Sequence, residues 1–257
     1  MKEKSFILAL VFLPLALLAA QPSGQRARTR VTSLVSAPQT LATKGGPAQG
    51  QSAGELKGVL GQMDTGAKNF KSAQADFEWD QYQRVVDDHN IQKGQIYFRR
   101  TKTGIDAAVK VVSPEAKQVL FKDGQLSLYQ PKINQVTEYT AKANRAEVES
   151  FMSLGFGASG TDLARNFEVK LDGWETVDGV RTAKLDLTPK EEKIKSSVSR
   201  VLLWLDPARN ISLKQQFFEP NGDYRLTHYT NIKVNGKVPD DAFRLKTRSS
   251  TQIVHPQ

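Results

Sequence analysis

Alternation of apolar and polar residues dominates the chain from residue 73 onward and predicts a succession of short strands. In Ala73–Asp80, for example, Phe77 and Trp79 alternate with Glu78 and Asp80, the period-two pattern of a strand with one buried face. Turn residues such as Asp-Gly, Asp-Pro and Asn-Gly separate these segments, so we expect about ten strands in meander order. The predicted strands lie near residues 73–80, 94–100, 105–111, 119–121, 126–128, 136–139, 167–176, 181–188, 198–206, 211–219 and 224–234.

Two segments depart from this alternation and predict helices. The first begins with the form of a capping box at Ser52–Glu55, and three glycines interrupt it at ~1 kcal/mol each relative to alanine. Tertiary packing must therefore hold this helix. The second is a helical interlude over 144–167, with a second short turn starting at Thr161; a one-turn helix at 239–243 and an apolar edge at Leu245 follow near the end. The apolar face of the first helix consists of Leu56, Leu60, Met63, Ala67 and Phe70.

Strands in meander order, broken once by helices, favour an α+β, mainly β fold. We expect a strongly curved antiparallel sheet, a half-open β-barrel, whose concave apolar face is covered by lid helices. Such a face is either filled by side chains or leaves room for one ligand. Taken one at a time, the apolar residues more often belong to a solid core than to a ligand cavity. The glycines beside both helices also suit the alternative, in which the helices are loosely held covers that an apolar ligand chain displaces.

The first twenty residues have the features of a secretory signal peptide. Lys2 and Lys4 precede the apolar run Phe6–Leu18, which is shorter than the ~20 residues of a spanning helix, and Ala19-Ala20 supplies a cleavage point. We predict cleavage there and a periplasmic location; retention as a membrane anchor is the alternative. The chain has no cysteine, which excludes disulfides, thiolate metal sites, thiol nucleophiles and acylation of the chain itself.

Residues 21–54 have the composition of a disordered basic tether, rich in Pro, Gly and Ser and without acidic or aromatic residues. They carry +4 of the formal net charge of +9, and residues 1–20 carry +1. The remaining +4 is spread over about two hundred residues, so no nucleic-acid partner is expected. The tether is either a solvated linker or makes transient contact with an anionic membrane surface. The predicted division is signal peptide 1–20, tether 21–54, one domain 55–250 and tail 251–257.

Residues with catalytic or metal-binding chemistry form no convincing pattern. Gly155–Gly160 matches a dinucleotide-binding loop, but no strand–helix–strand unit surrounds it. The three histidines are scattered without metal-ligand spacing, and no acid, base and nucleophile converge. We therefore expect no enzyme, no metal and no cofactor.

Three blocks occur in the order and at roughly the spacing found in the LolA family of periplasmic lipoprotein carriers. They are Gly94–Arg100 (Gly-Gln-Ile-Tyr-Phe-Arg-Arg), Asp123–Pro131 and the closing Pro-Asp-Asp-Ala-Phe at 239–243. The chain resembles the family over Glu55–Leu245, and departs from it at Thr101, where a proline is usual, and after Phe243. The resemblance implies a monomeric carrier that receives acylated lipoproteins from an inner-membrane ABC transporter and passes them to an outer-membrane acceptor.

The resemblance also implies roles for particular residues. By position, Arg100 is the arginine that holds the lid closed through backbone carbonyls; the plain alternative is a solvated strand residue. A second function of the same fold would be an envelope lipid or lipoprotein sensor, or a scaffold, that binds a regulatory partner. The residues expected to line an apolar ligand cavity are Phe77, Trp79, Ile96, Phe98, Val109, Val111, Leu126 and Leu128, with Phe151, Met152 and Leu154 from the lid.

Overall fold

The computed structural model describes residues 49–140 and 145–256, which form one long, curved and open sheet with helices on one face. The predicted signal peptide and most of the predicted tether lie outside the described residues. The helices are α1 (Gln49–Asn69), α2 (Arg145–Met152), α3 (Gly160–Asn166), α4 (Glu192–Lys195) and a 3-10 turn (Asp240–Phe243). The strands are β1 (Ser72–Gln83), β2 (Asp88–Thr101), β3 (Gly104–Ser113), β4 (Lys117–Lys122), β5 (Gln125–Gln130), β6 (Gln135–Thr140), β7 (Phe167–Val177), β8 (Val180–Pro189), β9 (Arg200–Asp206), β10 (Ile211–Phe218), β11 (Tyr224–Val234) and β12 (Gln252–Val254).

Two meanders build the sheet, whose strand order is β12-β6-β5-β4-β3-β2-β1-β11-β10-β9-β8-β7. Strands β1 to β6 form the first meander. The chain then crosses through α2 and α3 to β7, and the second meander returns to β11, which pairs with β1. These pairs are antiparallel, whereas β12 runs parallel to β6. The arrangement confirms the predicted mainly β, half-open antiparallel sheet with a helix-covered concave face.

The concave face carries two clusters of buried apolar side chains. The β8–β9 cluster lies under one half of the sheet, where Met63 of α1 and Leu163 of α3 pack with residues such as Leu185. The β1–β5 cluster lies under the other half, and Phe70, just after α1, and Phe156, in the loop between α2 and α3, pack into it. Side chains from the covering segments therefore fill most of the concave face.

A third, smaller cluster lies on the convex face and holds the 3-10 turn against the sheet. Phe243 and Ala242 of the turn pack with Ala108 of β3. The Arg99 guanidinium lies 4.2 Å from the centre of the Phe243 ring and bonds to Asp240 at 2.7 Å. The one-turn helix predicted at 239–243 is thus present and docked.

The start of the domain differs from the prediction. Helix α1 begins at Gln49, so the capping box predicted at Ser52 lies inside the helix and the predicted boundary between residues 54 and 55 falls within it. No proline occurs between residues 48 and 54, so the helical backbone can extend through this segment.

The end of the chain also differs, because the predicted tail 251–257 contains β12 and Leu245 lies in no strand. Asn134, in the turn between β5 and β6, fixes this segment. Its Nδ2 donates to the Ser250 carbonyl at 3.0 Å, its Oδ1 accepts from the Thr251 hydroxyl at 2.7 Å, and its backbone oxygen accepts from Gln252 N at 3.0 Å. These contacts join residues 116 or more positions apart. The local sequence pattern therefore could not predict β12.

The helical interlude divides as expected into two short helices. Gly155 and Gly157, with φ of +76° and +75°, separate α2 from α3. No helix in the described part of the chain has the length and apolar content that crossing a membrane requires. Within residues 49–140 and 145–256, no group of three or more histidine or acidic side chains could hold a metal ion.

Candidate functional site

Arg100 lies at the end of β2, where it contacts both segments that cover the concave face. Its Nη1 donates to the Ala67 carbonyl in the last turn of α1 at 3.2 Å. Its Nη2 reaches the Gly157 carbonyl in the α2–α3 loop at 3.5 Å, the upper limit for a hydrogen bond. The final four carbonyls of a helix have no partner within the helix, so Ala67 offers a free acceptor, and a cation there also interacts favourably with the helix dipole. The guanidinium therefore bridges α1 and the α2–α3 loop.

The α2–α3 loop places an aromatic plug in the concave face. Phe156 is 1% exposed, stacks on Phe98 with 4.6 Å between ring centres, and meets Tyr229 edge-to-face at 4.9 Å. This aromatic residue stands within the glycine-rich segment Gly155–Gly160, so the local sequence pattern does not mark it as a site residue. Phe156 fills space among the strand residues predicted to line a cavity.

Gly157 allows α1 to approach the loop closely. A Cβ at this position would overlap the ring of Phe70, and the φ of +75° is one that side-chain-bearing residues rarely adopt. Phe70 itself is buried in the β1–β5 cluster. The glycine therefore lets the Phe70 ring lie close to the loop backbone.

Strand β10 and Asn210, the residue before it, hold the other side of the same loop. Ser212 N donates to the Gly155 carbonyl at 2.7 Å, and Gly157 N donates to the Asn210 carbonyl at 3.1 Å. The buried Gln215 side chain donates to the Leu154 carbonyl at 2.8 Å and accepts from the Tyr229 hydroxyl at 3.2 Å. Burial raises the pKa of Tyr229 well above its usual value, so this phenol stays protonated as a donor.

The predicted cavity residues fall into separate groups. Phe151 and Leu154 lie in the β8–β9 cluster instead, and Leu128 is half-buried and belongs to neither cluster. The structure therefore brings most, but not all, of the predicted residues together. Those in the β1–β5 cluster are Phe77, Trp79, Ile96, Phe98, Val109, Val111, Leu126 and Met152.

One part of the concave face is less fully covered. Trp79, Val109, Val119 and Leu128 are half-buried, whereas Phe77, on the same face of β1 as Trp79, is 3% exposed. Trp79 stacks on Phe77 with 4.3 Å between ring centres. Apolar surface thus continues beyond the segment that the covers fill.

A groove of about 970 Å³ opens at the junction of the covers, between α1, α2, α3 and residues 190–194. Its volume is at the upper end of the ~300–1,000 Å³ typical of ligand pockets. Of the predicted site residues, Arg100, Phe151 and Leu154 line it, and the predicted apolar strand residues do not. Its apolar floor includes Ile105, Phe151, Leu154, Leu163 and Ile194, and its charged rim includes Asp64, Lys68, Glu149, Arg165 and Lys190.

The chain thus combines an open half-barrel, apolar covers that Arg100 bridges, and a groove at the junction of these covers. The family model described as outer membrane lipoprotein carrier protein LolA matches residues 68–246. This match includes more than half of the chain, and the chain belongs to the LolA family. The family predicted from the sequence blocks is therefore confirmed.

Solved structures share this fold at low sequence identity. An uncharacterized conserved protein from Thermus thermophilus is 12% identical, with a TM-score of 0.51 over 79% of this chain and 99% of that chain. MucB is 14% identical, with a TM-score of 0.50 over 78% of this chain and 66% of that chain. The MucA/MucB complex of Pseudomonas aeruginosa gives 16% identity and a TM-score of 0.48 over 74% and 61%. The chain thus spans less than two thirds of these MucB chains, and the likeness shows the fold alone. No curated protein sequence matches the chain.

Proposed function

We propose that this protein is a periplasmic carrier that binds the acyl chains of lipoproteins on its concave face and takes them toward the outer membrane without catalysis. Membership of the LolA family supports this proposal. The observation that carries it is the position of Phe156, which is buried among strand residues yet belongs to a loop, and which Arg100 of β2 reaches only through the Gly157 carbonyl at 3.5 Å. An apolar chain could replace this plug without exposing the strands to water.

The energies of burial favour such an exchange. Burying one methylene contributes ~0.8 kcal/mol, so ten methylenes leaving water contribute ~8 kcal/mol. Removing one phenylalanine side chain from a packed core costs ~3–5 kcal/mol. A single acyl chain can therefore offset the displacement of Phe156, and the half-buried surface of Trp79, Val109 and Leu128 offers further contact.

We propose a ligand route that uses the groove and the covers. The groove beside Arg100 has an apolar floor that includes Ile105 of β3, which packs against the β1–β5 cluster. We place the entry of an acyl chain there and its final position along the β1–β5 cluster. The upstream source is an inner-membrane ABC transporter and the recipient an outer-membrane acceptor, as the family implies, and the carrier acts as a monomer.

The test is uptake of a triacylated cysteinyl peptide by the purified full chain. Val109→Asp places a carboxylate on the concave face, and Val112→Asp places one on the convex face of the same strand, where Val112 is 65% exposed. We expect the first variant to lose uptake at least tenfold relative to the second. Equal uptake by both variants, or no uptake by the unaltered chain, contradicts the proposal.

A sensor or scaffold that binds a regulatory partner is the second function that this fold could serve. Co-purification from the native periplasm separates the two. Mass spectrometry should find lipid-modified peptides with a carrier and one stoichiometric protein partner with a sensor. A protein partner recovered without acylated material would favour the sensor over our proposal.

A further inference from the structure

Asn210, in the turn between β9 and β10, contacts the same two covering segments as Arg100, but from the opposite side. Its Nδ2 donates to the Met63 carbonyl of α1 and to the Ala158 carbonyl of the α2–α3 loop, both at 3.1 Å. Arg100 reaches Ala67, one helical turn further along α1, and Gly157, the neighbouring loop residue. The Asn210 and Arg100 side chains therefore each bond to both α1 and the α2–α3 loop.

The backbone around Asn210 is shaped for this contact. Its φ of +53° is in the left-handed region, which asparagine tolerates better than most residues. A Cβ on Gly66 of α1 would lie 2.6 Å from the Asn210 Cβ, so the helix approaches this turn closely. The Asn210 carbonyl also accepts the Gly157 amide. The β9–β10 turn thus contacts α1 and the α2–α3 loop through the side chain of Asn210, and the loop also through its main chain.

The covering segments are also tied to each other. Asp64 of α1 accepts bonds from the amide and the hydroxyl of Thr161 at 2.9 and 3.0 Å, and a Cβ on Gly160 would overlap the Leu60 carbonyl. Helix α1 and residues 157–166 therefore form one cover. Arg100 attaches this cover to β2, and Asn210 attaches it to the β9–β10 turn.

Burial decides which attachment is stronger. Asn210 is 1% exposed, and its two side-chain bonds are buried, whereas Arg100 is an exposed residue and its bonds of 3.2 and 3.5 Å compete with water. The Asn210 Oδ1 atom is buried without a hydrogen-bond partner among the described residues, and water can reach it when the cover lifts. The buried bonds of Asn210 thus hold the closed cover, while the unpaired Oδ1 atom lowers the cost of opening it.

We infer that Asn210 is the principal positioning residue of the closed cover, and that it sets the cost of opening in the empty protein more than Arg100 does. The inference deepens the carrier proposal and rests on it for its functional meaning. The structural part, that Asn210 holds α1 and residues 157–166 closed, concerns the empty protein alone.

Hydrogen exchange of the empty full chain tests this. Asn210→Gly keeps the left-handed backbone and removes both donors. We expect amides of α1 and residues 157–166 to exchange about tenfold faster or more, and faster than in Arg100→Leu, while β8 and β9 keep their protection. Asn231→Gly is the matched control, because Asn231 also has a left-handed φ of 51° but bonds to Asp76 on the convex face.

Several outcomes would overturn the inference. They are exchange in Asn210→Gly equal to that in Asn231→Gly, a smaller change than in Arg100→Leu, or a uniform increase that includes β8 and β9. If Asn210→Gly fails to fold, Asn210→Asp keeps the side-chain shape and replaces the donor by an acceptor, and the same local increase is expected. Peptide uptake is measured separately, so a chain that takes up no peptide would contradict the carrier proposal while leaving the exchange result for Asn210 intact.

Discussion

Arg99 and Arg100 are consecutive in β2, yet they hold different parts of the molecule on opposite faces of the sheet. Arg99 bonds to Asp106 at 2.8 Å on the convex side and lies over the Phe243 ring, whereas Arg100 reaches the carbonyls of the cover. The alternation of a strand produces this division directly. One pair of adjacent cations thus fixes the C-terminal turn and bridges the cover.

The two arginines give a matched pair of substitutions. Arg100→Leu should let cargo load but slow its release, because the closed state loses its bridge while the apolar face is unchanged. We expect release to slow about tenfold. Transfer of a triacylated peptide from the carrier to acceptor vesicles measures this.

Arg99→Leu is the control for that experiment. It should lower the free energy of unfolding through loss of the Asp106 and Asp240 contacts, with transfer kept at the unaltered rate. Normal transfer by Arg100→Leu would rule out the latch role of Arg100.

Phe156→Ala should remove the plug. We expect a loss of ~3–5 kcal/mol in the free energy of unfolding, as for other buried phenylalanines, together with tighter binding of an apolar fluorescent probe. Phe167→Ala is the control, since Phe167 is also 1% exposed but packs in the β8–β9 cluster. Probe titration should separate the two variants; equal probe binding would show that Phe156 is ordinary core.

Gly157→Ala should displace the loop from α1. Alanine at a φ of +75° is strained at any position, and here its Cβ would also overlap Phe70. Gly179 has the same φ with nothing within 4 Å, so Gly179→Ala carries the backbone strain alone. Urea unfolding should show a larger loss for Gly157→Ala by at least ~1–2 kcal/mol. Equal losses would mean that the loop and Phe70 adjust freely.

Tyr229 should make stability fall at alkaline pH. Burial raises its pKa in the folded protein, while the unfolded chain keeps a value of ~10. Above pH ~10 the unfolded state loses the proton and the folded state retains it, so the stabilisation present at lower pH is lost as pH rises. The free energy of unfolding should therefore fall more steeply between pH ~9 and ~11 in the unaltered protein than in Tyr229→Phe. Parallel pH profiles of the two proteins would show that Tyr229 does not cause the loss of stability.

The strand pattern predicted much of the fold because each long strand carries its own signal. The alternation around Phe77 and Phe98 locates both strands and the face that they bury. Strand β12 has three exposed residues and depends on Asn134, more than a hundred positions away, so no local pattern marks it. The start of α1 was misplaced because a capping-box sequence also fits inside a helix.

The candidate site was less predictable for a physical reason. Alternation shows which side chains face the concave side, but it cannot show whether distant segments fill that face. Phe156 and Asn210 act through tertiary contacts, and their local sequences are those of a loop and a turn. Arg100 was identified through the family resemblance rather than through its own pattern.

The pairing of β1 with β11 has a consequence for biogenesis. The seam joins the first strand to one of the last, so it can form only after the second meander has been synthesised. Contacts so distant in sequence form late because closing the long intervening loop is entropically costly. The apolar face of the first strands therefore stays without its β11 neighbour during synthesis until residues 224–234 have been made.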